Sequence, residues 1–363
     1  MIVYVFLVLA LLLFRLQFAG RGFHADFIGR DSIQPIKGVF ILLIIVSHFI
    51  QYVKLDGPLD AYYMTMRTFL RQMVVVPFLF YSGYGVTLSI IGKGDAYLRG
   101  IPVRRVLKVL FQFDVAVLLF VLVRWMMGDV FPFGKVMLSL VGWSSVGNSN
   151  WYIFAILILY LISYLTFSSV RGIKSALVRQ SVAVWIQAGL IVALIVVLKQ
   201  CRPSCVYNTL LSYAAGSMFA VYGKAVIDWT VRSNLRYLGM LFLAFAAFLA
   251  LHHFWNRSLV CYELAGVAFA GIIVLLSLKF VSRCPVLAYC GTHLFSLYVL
   301  QRLPMWMLKN DWFVQHRYLY LAAVVTLTFP LSYVFDKVVP YLWDKILVSC
   351  RVESSGRDSV RRS

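Results

Sequence analysis

The chain has 363 residues, of which 62% are hydrophobic and 13% are charged, with a mean hydropathy of +0.85 and a formal net charge of +20 at pH 7. Soluble domains carry about one quarter charged residues, so this balance excludes a soluble globular protein. In a soluble protein such a positive charge would suggest nucleic acid as a partner, but here the distribution of the charge along the chain explains it better.

Repeated apolar stretches, each near the ~20 residues that cross a bilayer, predict an all-α polytopic membrane helix bundle. We predict about eleven spans, one N-terminal helix followed by ten core helices, at residues 2–18, 36–53, 73–91, 107–127, 151–168, 182–198, 206–223, 237–252, 261–279, 286–302 and 318–338. Alternate loops then place 23 of the 34 Lys and Arg residues on one side, and the positive-inside rule assigns that side to the cytoplasm. We therefore expect a multi-pass protein of the inner (cytoplasmic) membrane, with its N-terminus outside and its C-terminus in the cytoplasm.

The hydrophilic connections are too short to form a separate core, so a single membrane domain is expected. It is flanked by an N-terminal helix with a basic linker (residues 1–30) and by a basic cytoplasmic tail (residues 341–363). Cys201 and Cys205, in the loop Cys-Arg-Pro-Ser-Cys, form either a disulfide or two free thiols. Cysteine spacing matches no zinc framework, and no metal site is predicted.

The second span contains the most informative residue, His48, in the apolar run that starts at Gly38. An ionisable side chain at membrane depth is costly and by default suggests a function. Lys37 stands eleven residues earlier, which places both side chains on one helix face, about 16 Å apart along the axis. A cation at the surface and an imidazole deeper in the membrane form a plausible track for a long anionic ligand.

Two interpretations of His48 stay open at this point. The imidazole could hydrogen-bond between helices as a structural contact. Alternatively it acts chemically, because the membrane interior favours the neutral imidazole that a general base requires. As a base it would take the proton of an attacking hydroxyl; as a nucleophile it would itself become transiently acylated.

The segment Ser32–His48 resembles the first core helix of the acyltransferase-3 family, in which a basic residue followed by glycine precedes a histidine by eleven positions. The family usually has arginine where this chain has Lys37, so charge is kept and the bidentate fork is lost. It also usually has an acidic residue where Gln34 stands, and a histidine at the end of its last motif where Gln301 stands.

Four further segments resemble the family in order and spacing. They are the aromatic–Ser-Gly helix Pro77–Gly85, the basic loop Tyr97–Lys108, the Trp-led helix Asn150–Tyr160 and the late segment Gly291–Gln301. The resemblance covers roughly residues 30–338, which identifies residues 31–340 as an acyltransferase-3-like membrane domain and leaves the first span as an addition.

This resemblance implies an O-acyltransferase that moves an acyl group, with acetyl the first expectation, from acyl-coenzyme A to a hydroxyl of an envelope carbohydrate or glycolipid. His48 is then the catalytic residue, and Lys37, Arg104 and Arg105 bind the phosphates of the donor at the cytoplasmic mouth. Further candidates are Ser82, Trp151, Glu263 and Asp114, each of which has a structural alternative as a packing, interfacial or paired residue. We expect acyl-CoA as co-substrate with no bound cofactor, and the lipid bilayer, the acyl donor and a lipid-linked glycan as partners, without nucleic acid.

Two other functions stay open from the sequence. A transporter or flippase for a glycolipid or anionic solute also fits a polytopic bundle with few buried charges, although no internal repeat is seen. A binding or assembly subunit that keeps the fold without catalysis fits the departures at Gln34, Lys37 and Gln301. Consumption of a thioester distinguishes a transferase from both.

Overall fold

The computed structural model describes the backbone of residues 1–360 and the side chains of residues 1–346. The basic tail predicted for residues 341–363 therefore lies largely outside the described side chains. The helices are α1 Ile2–Leu13, α2 Arg30–Phe49, α3 Asp60–Leu70, α4 Val76–Ile101, α5 Lys108–Met126, α6 Phe133–Leu140, α7 Trp151–Ser169, α8 Ala176–Cys201, α9 Leu211–Thr230, α10 Asn234–Phe254, α11 Leu259–Lys279, α12 Pro285–Thr292, α13 Leu294–Leu300, α14 Arg302–Met307, α15 Asp311–Gln315 and α16 Arg317–Val360. The strands are β1 Leu16–Phe18 and β2 Phe280–Ser282, and the π-helical segment Pro102–Leu107 joins α4 to α5.

Eight helical stretches in the described part of the chain are long and apolar enough to cross a membrane. One of them, Asp60–Met126, contains both α4 and α5. The all-α polytopic class predicted from the sequence is confirmed, whereas the count of about eleven spans is not.

The first predicted span, residues 2–18, differs from the structure. The helix ends at Leu13, and Arg15 adopts a positive φ of 57°, which turns the chain out of the helix. Leu16–Phe18 then pairs antiparallel with β2, with Leu16 opposite Ser282 and Phe18 opposite Phe280. The reason is that a strand partner far along the chain satisfies the backbone groups that a longer helix would have satisfied locally.

The predicted span 286–302 is also not one continuous helix, because it is divided among α12, α13 and the start of α14. Pro285 occupies the first turn of α12, where its missing N–H is not needed. At the other end His293 has φ −93° and ψ 22°, which interrupts the helix although its N–H still bonds to the Tyr289 carbonyl.

The described chain divides into two compact units, the first formed by residues 1–106 and 151–294. In this unit two helix pairs approach so closely that only glycine fits between them. A Cβ on Gly38 of α2 would lie 2.0 Å from the Leu287 carbonyl oxygen of α12, and one on Gly291 would lie 2.0 Å from the Gln34 carbonyl oxygen. Small residues permit such backbone contact between membrane helices, so α2 and α12 form a rigid pair.

The second close pair consists of α4 and α9. A Cβ on Gly83 would lie 2.0 Å from the Tyr213 carbonyl oxygen, and one on Gly216 would lie 2.0 Å from the Phe80 carbonyl oxygen. The packing role expected of the small residues after Ser82 is thus visible at Gly83. This contact fixes the height of Ser82 relative to α9.

Lys279, at the end of α11, fastens the linker between β1 and α2 within the first unit. Its buried ammonium donates hydrogen bonds to the Gly20 carbonyl (2.9 Å), the Gly22 carbonyl (2.8 Å) and the Asn234 side chain (2.7 Å), and it lies 4.0 Å from the centre of the Phe23 ring. All three ammonium protons therefore have an acceptor, which is what a buried lysine requires.

The second unit comprises residues 107–150 and 295–363. Its segment 142–150 is held by its own side chains, since Asn150 donates to the carbonyls of Gly142 and Ser144, each at 2.8 Å. The Arg124 guanidinium stacks 3.7 Å above the Trp306 ring, and Arg302 donates to Ser149 at 3.1 Å. These contacts connect the loop to the helices of its own unit.

Candidate functional site

Helix α2 carries both residues of the track predicted from the sequence. The predicted span was 36–53. The helix starts six residues before it, at Arg30, and ends four residues before its end, at Phe49. Lys37 therefore lies two turns inside the helix and His48 lies in the last turn, both half-buried. The helix separates them by about 16 Å along its axis. Since Gly38 directly follows Lys37, the backbone contact with α12 fixes the position of Lys37.

The ammonium group of Lys37 lies near other positive charges. The positive charges of Arg105 and Arg30 both act on its ammonium group. Among the side chains of residues 1–346, no carboxylate lies within salt-bridge distance of Lys37, Arg30 or Arg105. A group of cations without a protein counter-charge attracts an anion, so this cluster is a candidate anion site.

Arg105 interacts with the hydroxyl group and the ring of Tyr97. Its Nε donates to the Tyr97 hydroxyl at 3.1 Å, and its guanidinium lies 6.0 Å from the centre of the Tyr97 ring. The Tyr160 hydroxyl, in the middle of α7, lies near the Arg105 guanidinium and the Ser82 side chain. Two predicted residues, Arg105 and Ser82, thus lie near one tyrosine of α7.

Arg104 does not share these partners. Its side chain is exposed and runs along α4, with Cδ 3.4 Å from the position that a Cβ on Gly100 would take. The two neighbouring arginines of the π-helical segment therefore point in different directions. A π-helical turn changes the angle between successive side chains, and such turns are frequent at functional sites.

Tyr97 and Tyr160 were not singled out from the sequence, although each stands at the end of a segment that resembles the family. A hydroxyl directly after the apolar run Ile153–Leu159 is the signal that marks Tyr160. For Tyr97 the signal is weaker, because a tyrosine near a helix end is normally an interfacial anchor.

Glu263 has a structural partner. Its Oε2 accepts a hydrogen bond of 3.0 Å from the Leu211 backbone N–H, and the Leu210 N–H lies near this carboxylate. These N–H groups lie at the start of α9, where the helix dipole favours a negative charge. The buried carboxylate therefore caps α9 and connects α11 to it.

Trp151 and Asp114 are the remaining candidates from the sequence. Trp151 begins α7 and makes an edge contact with the Tyr152 ring at 6.0 Å, as expected of an aromatic residue at a helix end. Asp114 is a half-buried residue of α5 in the second unit.

Two cavities of the first unit lie beside the same helices but do not contain the cluster. One of about 310 Å³ is apolar and touches Ile36 and Phe40 of α2. Another of about 590 Å³ touches Tyr84 of α4 and Lys224 of α9. Neither cavity is lined by Lys37, Arg105 or His48, so the candidate site is identified from its side chains and not from a cavity.

The first turn of α2 is anchored by Asp26, which precedes the helix. The carboxylate accepts a hydrogen bond of 2.7 Å from Arg283 and one of 3.1 Å from the Ser32 hydroxyl. The Arg283 guanidinium, which bonds to it, holds the pKa of the Asp26 carboxyl below its ordinary value, and the Ser32 hydroxyl acts in the same direction. Asp26 thus connects α2 to the residue that follows β2.

The described residues contain no group of three or more His, Cys, Asp or Glu side chains that could hold a metal ion. Of the cysteines whose side chains are described, Cys201 and Cys205 are free thiols, which is one of the two alternatives left open by their spacing.

The chain matches the family model described as an acyltransferase domain of the acyltransferase-3 type over residues 30–337, more than half of its length. No curated protein and no solved structure matches it. The match begins at the first residue of α2 and ends within α16, so it includes the cation cluster and His48. The chain therefore belongs to the acyltransferase-3 family and is a multi-pass membrane acyltransferase.

Proposed function

We propose that the protein transfers an acyl group, with acetyl the first expectation, from acyl-coenzyme A to a hydroxyl of an envelope carbohydrate or glycolipid. The observation that carries this proposal is the cluster of Lys37, Arg30 and Arg105. It has no carboxylate partner in the described part of the chain, and two of its members, Lys37 and Arg30, lie on the helix that also carries His48.

In this proposal the cations bind the phosphates of the donor. Coenzyme A is anionic and does not cross a bilayer, so the donor enters from the cytoplasmic side. Lys37 and Arg105 hold the phosphates, with Arg104 as a further cation at the mouth. The pantetheine arm then extends along α2 toward His48, about 16 Å from Lys37.

At the thioester, His48 acts as general base. The neutral imidazole takes the proton of the acceptor hydroxyl while the hydroxyl oxygen attacks the carbonyl carbon. The new C–O bond forms, the C–S bond breaks, and the imidazolium returns the proton to the leaving thiolate, which gives the ester and free coenzyme A. If His48 is instead acylated first, the same products form in two steps.

The acceptor is proposed as a carbohydrate or lipid-linked glycan at the outer face of the inner membrane. The N-terminus lies outside and the C-terminus in the cytoplasm in this arrangement, as the distribution of Lys and Arg predicts. His48, in the last turn of α2, then lies toward the outer face, where such an acceptor is presented.

The experiment measures free thiol released from acetyl-coenzyme A by the purified protein in liposomes, with a panel of glycan acceptors. We expect His48→Ala to abolish release while donor binding is kept, and Lys37→Met to weaken donor binding. The matched control is His253→Ala, since His253 is an exposed histidine in the last turn of α10. Equal activity of His48→Ala and wild type would remove His48 from the chemistry. Donor binding without turnover on any acceptor would contradict the transferase proposal and favour the binding-subunit alternative.

A further inference from the structure

The connection between α5 and α7, one of the hydrophilic connections expected from the sequence, is largely apolar in its first half. Residues 130–141 read Val-Phe-Pro-Phe-Gly-Lys-Val-Met-Leu-Ser-Leu-Val and contain a single charged residue, Lys135. Apolar side chains here are among the most exposed in the described part of the chain, with Val130 at 85%, Phe133 at 78% and Met126 at 74%. A contiguous apolar surface of this kind marks a site of interaction with a protein or a membrane.

Helix α6 has an exposed apolar face and a buried polar contact. Phe133 and Met137 are four residues apart and share one face with Val141, which directly follows the helix; all three are exposed. On the opposite face Ser139 is buried, and its hydroxyl donates to the Lys135 carbonyl at 2.8 Å. A helix at a protein–water boundary has the reverse arrangement, with its polar face outward. The arrangement of α6 is the one that a helix in contact with lipid requires.

This exposed face follows directly from the lipid-facing surface of α5. Leu118 and Leu122 are exposed on this membrane-crossing helix, and Trp125 is exposed in its last turn. Helix α6 has 8 residues and is therefore about 12 Å long, too short to cross a hydrocarbon core of ~30 Å. Because a helix satisfies its backbone groups internally, α6 can lie along the membrane surface instead.

The charged groups of the segment lie around the Phe131 ring. The Arg124 guanidinium is 5.5 Å from the centre of this ring, and the Lys135 ammonium is 5.1 Å from it. Arg124 is paired with Asp129, whereas Lys135 has no carboxylate within salt-bridge distance among the side chains of residues 1–346. An uncompensated cation beside an apolar face matches a phospholipid, whose phosphate is anionic and whose acyl chains are apolar.

We propose that α6 is an interfacial helix that lies in the membrane leaflet where α5 ends. Phe133, Met137 and Val141 contact the acyl chains, and the Lys135 ammonium lies beside the phosphate groups. This leaflet is the outer one in the orientation given by the distribution of Lys and Arg. Contact with phospholipid then covers the exposed surface of Val130 and Phe133 without a further protein.

Photolabelling of the wild-type protein in phosphatidylcholine liposomes tests this placement. One sample contains a phospholipid with a diazirine in its acyl chain, another contains a water-soluble diazirine, and the adducts are mapped by mass spectrometry. We expect Phe133 and Met137 to show the same ratio of lipid to aqueous adducts as Leu118 and Leu122 of α5. Residues 171–175, the largely exposed connection between α7 and α8, provide the aqueous reference.

A ratio at Phe133 and Met137 closer to that of residues 171–175 would overturn the proposal, because the face would then be in water. Adducts from neither reagent would also overturn it, since a protein surface, such as a second copy of the chain, would then cover the face.

A pair of variants tests the assigned face. Phe133→Asp combined with Met137→Asp is expected to remove the lipid adducts of residues 130–141 and to leave those of α5 unchanged, because a charged side chain is costly at the depth of the acyl chains. Phe133→Leu combined with Met137→Leu is the matched control and is expected to keep the adducts. Lipid adducts that persist in the aspartate variant would contradict the proposal.

Discussion

Replacing Gly38 with alanine tests whether the close contact of α2 and α12 fixes the geometry of the site. A Cβ there would lie 2.0 Å from the Leu287 carbonyl oxygen, and ordinary contacts begin near 3.4 Å. The obstacle is backbone, so the two helices must separate by about 1.4 Å at the crossing. Overpacking of this kind costs about 1–3 kcal/mol, which lowers the melting temperature by on the order of 5 °C.

The change also moves Lys37, which directly precedes Gly38. A displacement of about 1 Å of positioned groups reduces rates by up to about 10²-fold, so we expect a much larger loss of acyl transfer than of stability. The assay combines melting of the purified protein with thiol release at saturating donor.

Gly85→Ala is the matched control, since Gly85 is a helical glycine of α4 with no neighbouring atom within 4 Å of the position that a Cβ would take. Gly291→Ala, the reciprocal position on α12, should reproduce the defect. Wild-type melting and activity for Gly38→Ala would refute the argument from close packing.

Three further outcomes are expected. Arg283 lowers the pKa of Asp26, so the ionised carboxylate stabilises the fold at pH values above its ordinary pKa of 3.8, and this stabilisation is lost as the pH falls through the lowered pKa. The difference in melting temperature between wild type and Asp26→Asn should therefore be present at pH 7 and vanish in acid. Lys279→Met should destabilise the protein by about 2–3 kcal/mol, measured by denaturation, because three acceptors lose their donor. A membrane-impermeant maleimide should label the exposed thiol of Cys201 from outside, whereas a Lys224→Cys thiol should react only after the membrane is opened; the reverse pattern would contradict the assigned orientation.

The fold class followed from hydropathy because apolar length is what a bilayer selects. The family assignment, predicted from ordered motifs, is confirmed by the match over residues 30–337. Helix ends were less predictable: β1 needs a partner at β2, more than two hundred residues along the chain, and no local pattern indicates such pairing.

The candidate site was likewise predictable from the sequence only in part. Lys37 and His48 were predictable because they share one helix, where spacing gives the face directly. Ser82 and Arg105 lie near Tyr160 of another helix, and such proximity depends on how the helices pack. Glu263 could be recognised as a buried acid, whereas its use as a cap of α9 depends on the position of another chain segment. The chemical roles of all these residues stay predictions.

The pairing of β1 with β2 has a consequence for biosynthesis. Leu16 leaves the ribosome early, but its partner Ser282 emerges only after eight further helices of the first unit and the inserted segment of the second have been made. At about 5–20 residues per second this delay is on the order of 13–50 s. Throughout it the carbonyls of Gly20 and Gly22 lack the Lys279 ammonium that later binds them. The linker before α2 is thus made early in synthesis, yet its contacts are among the last of the first unit to form.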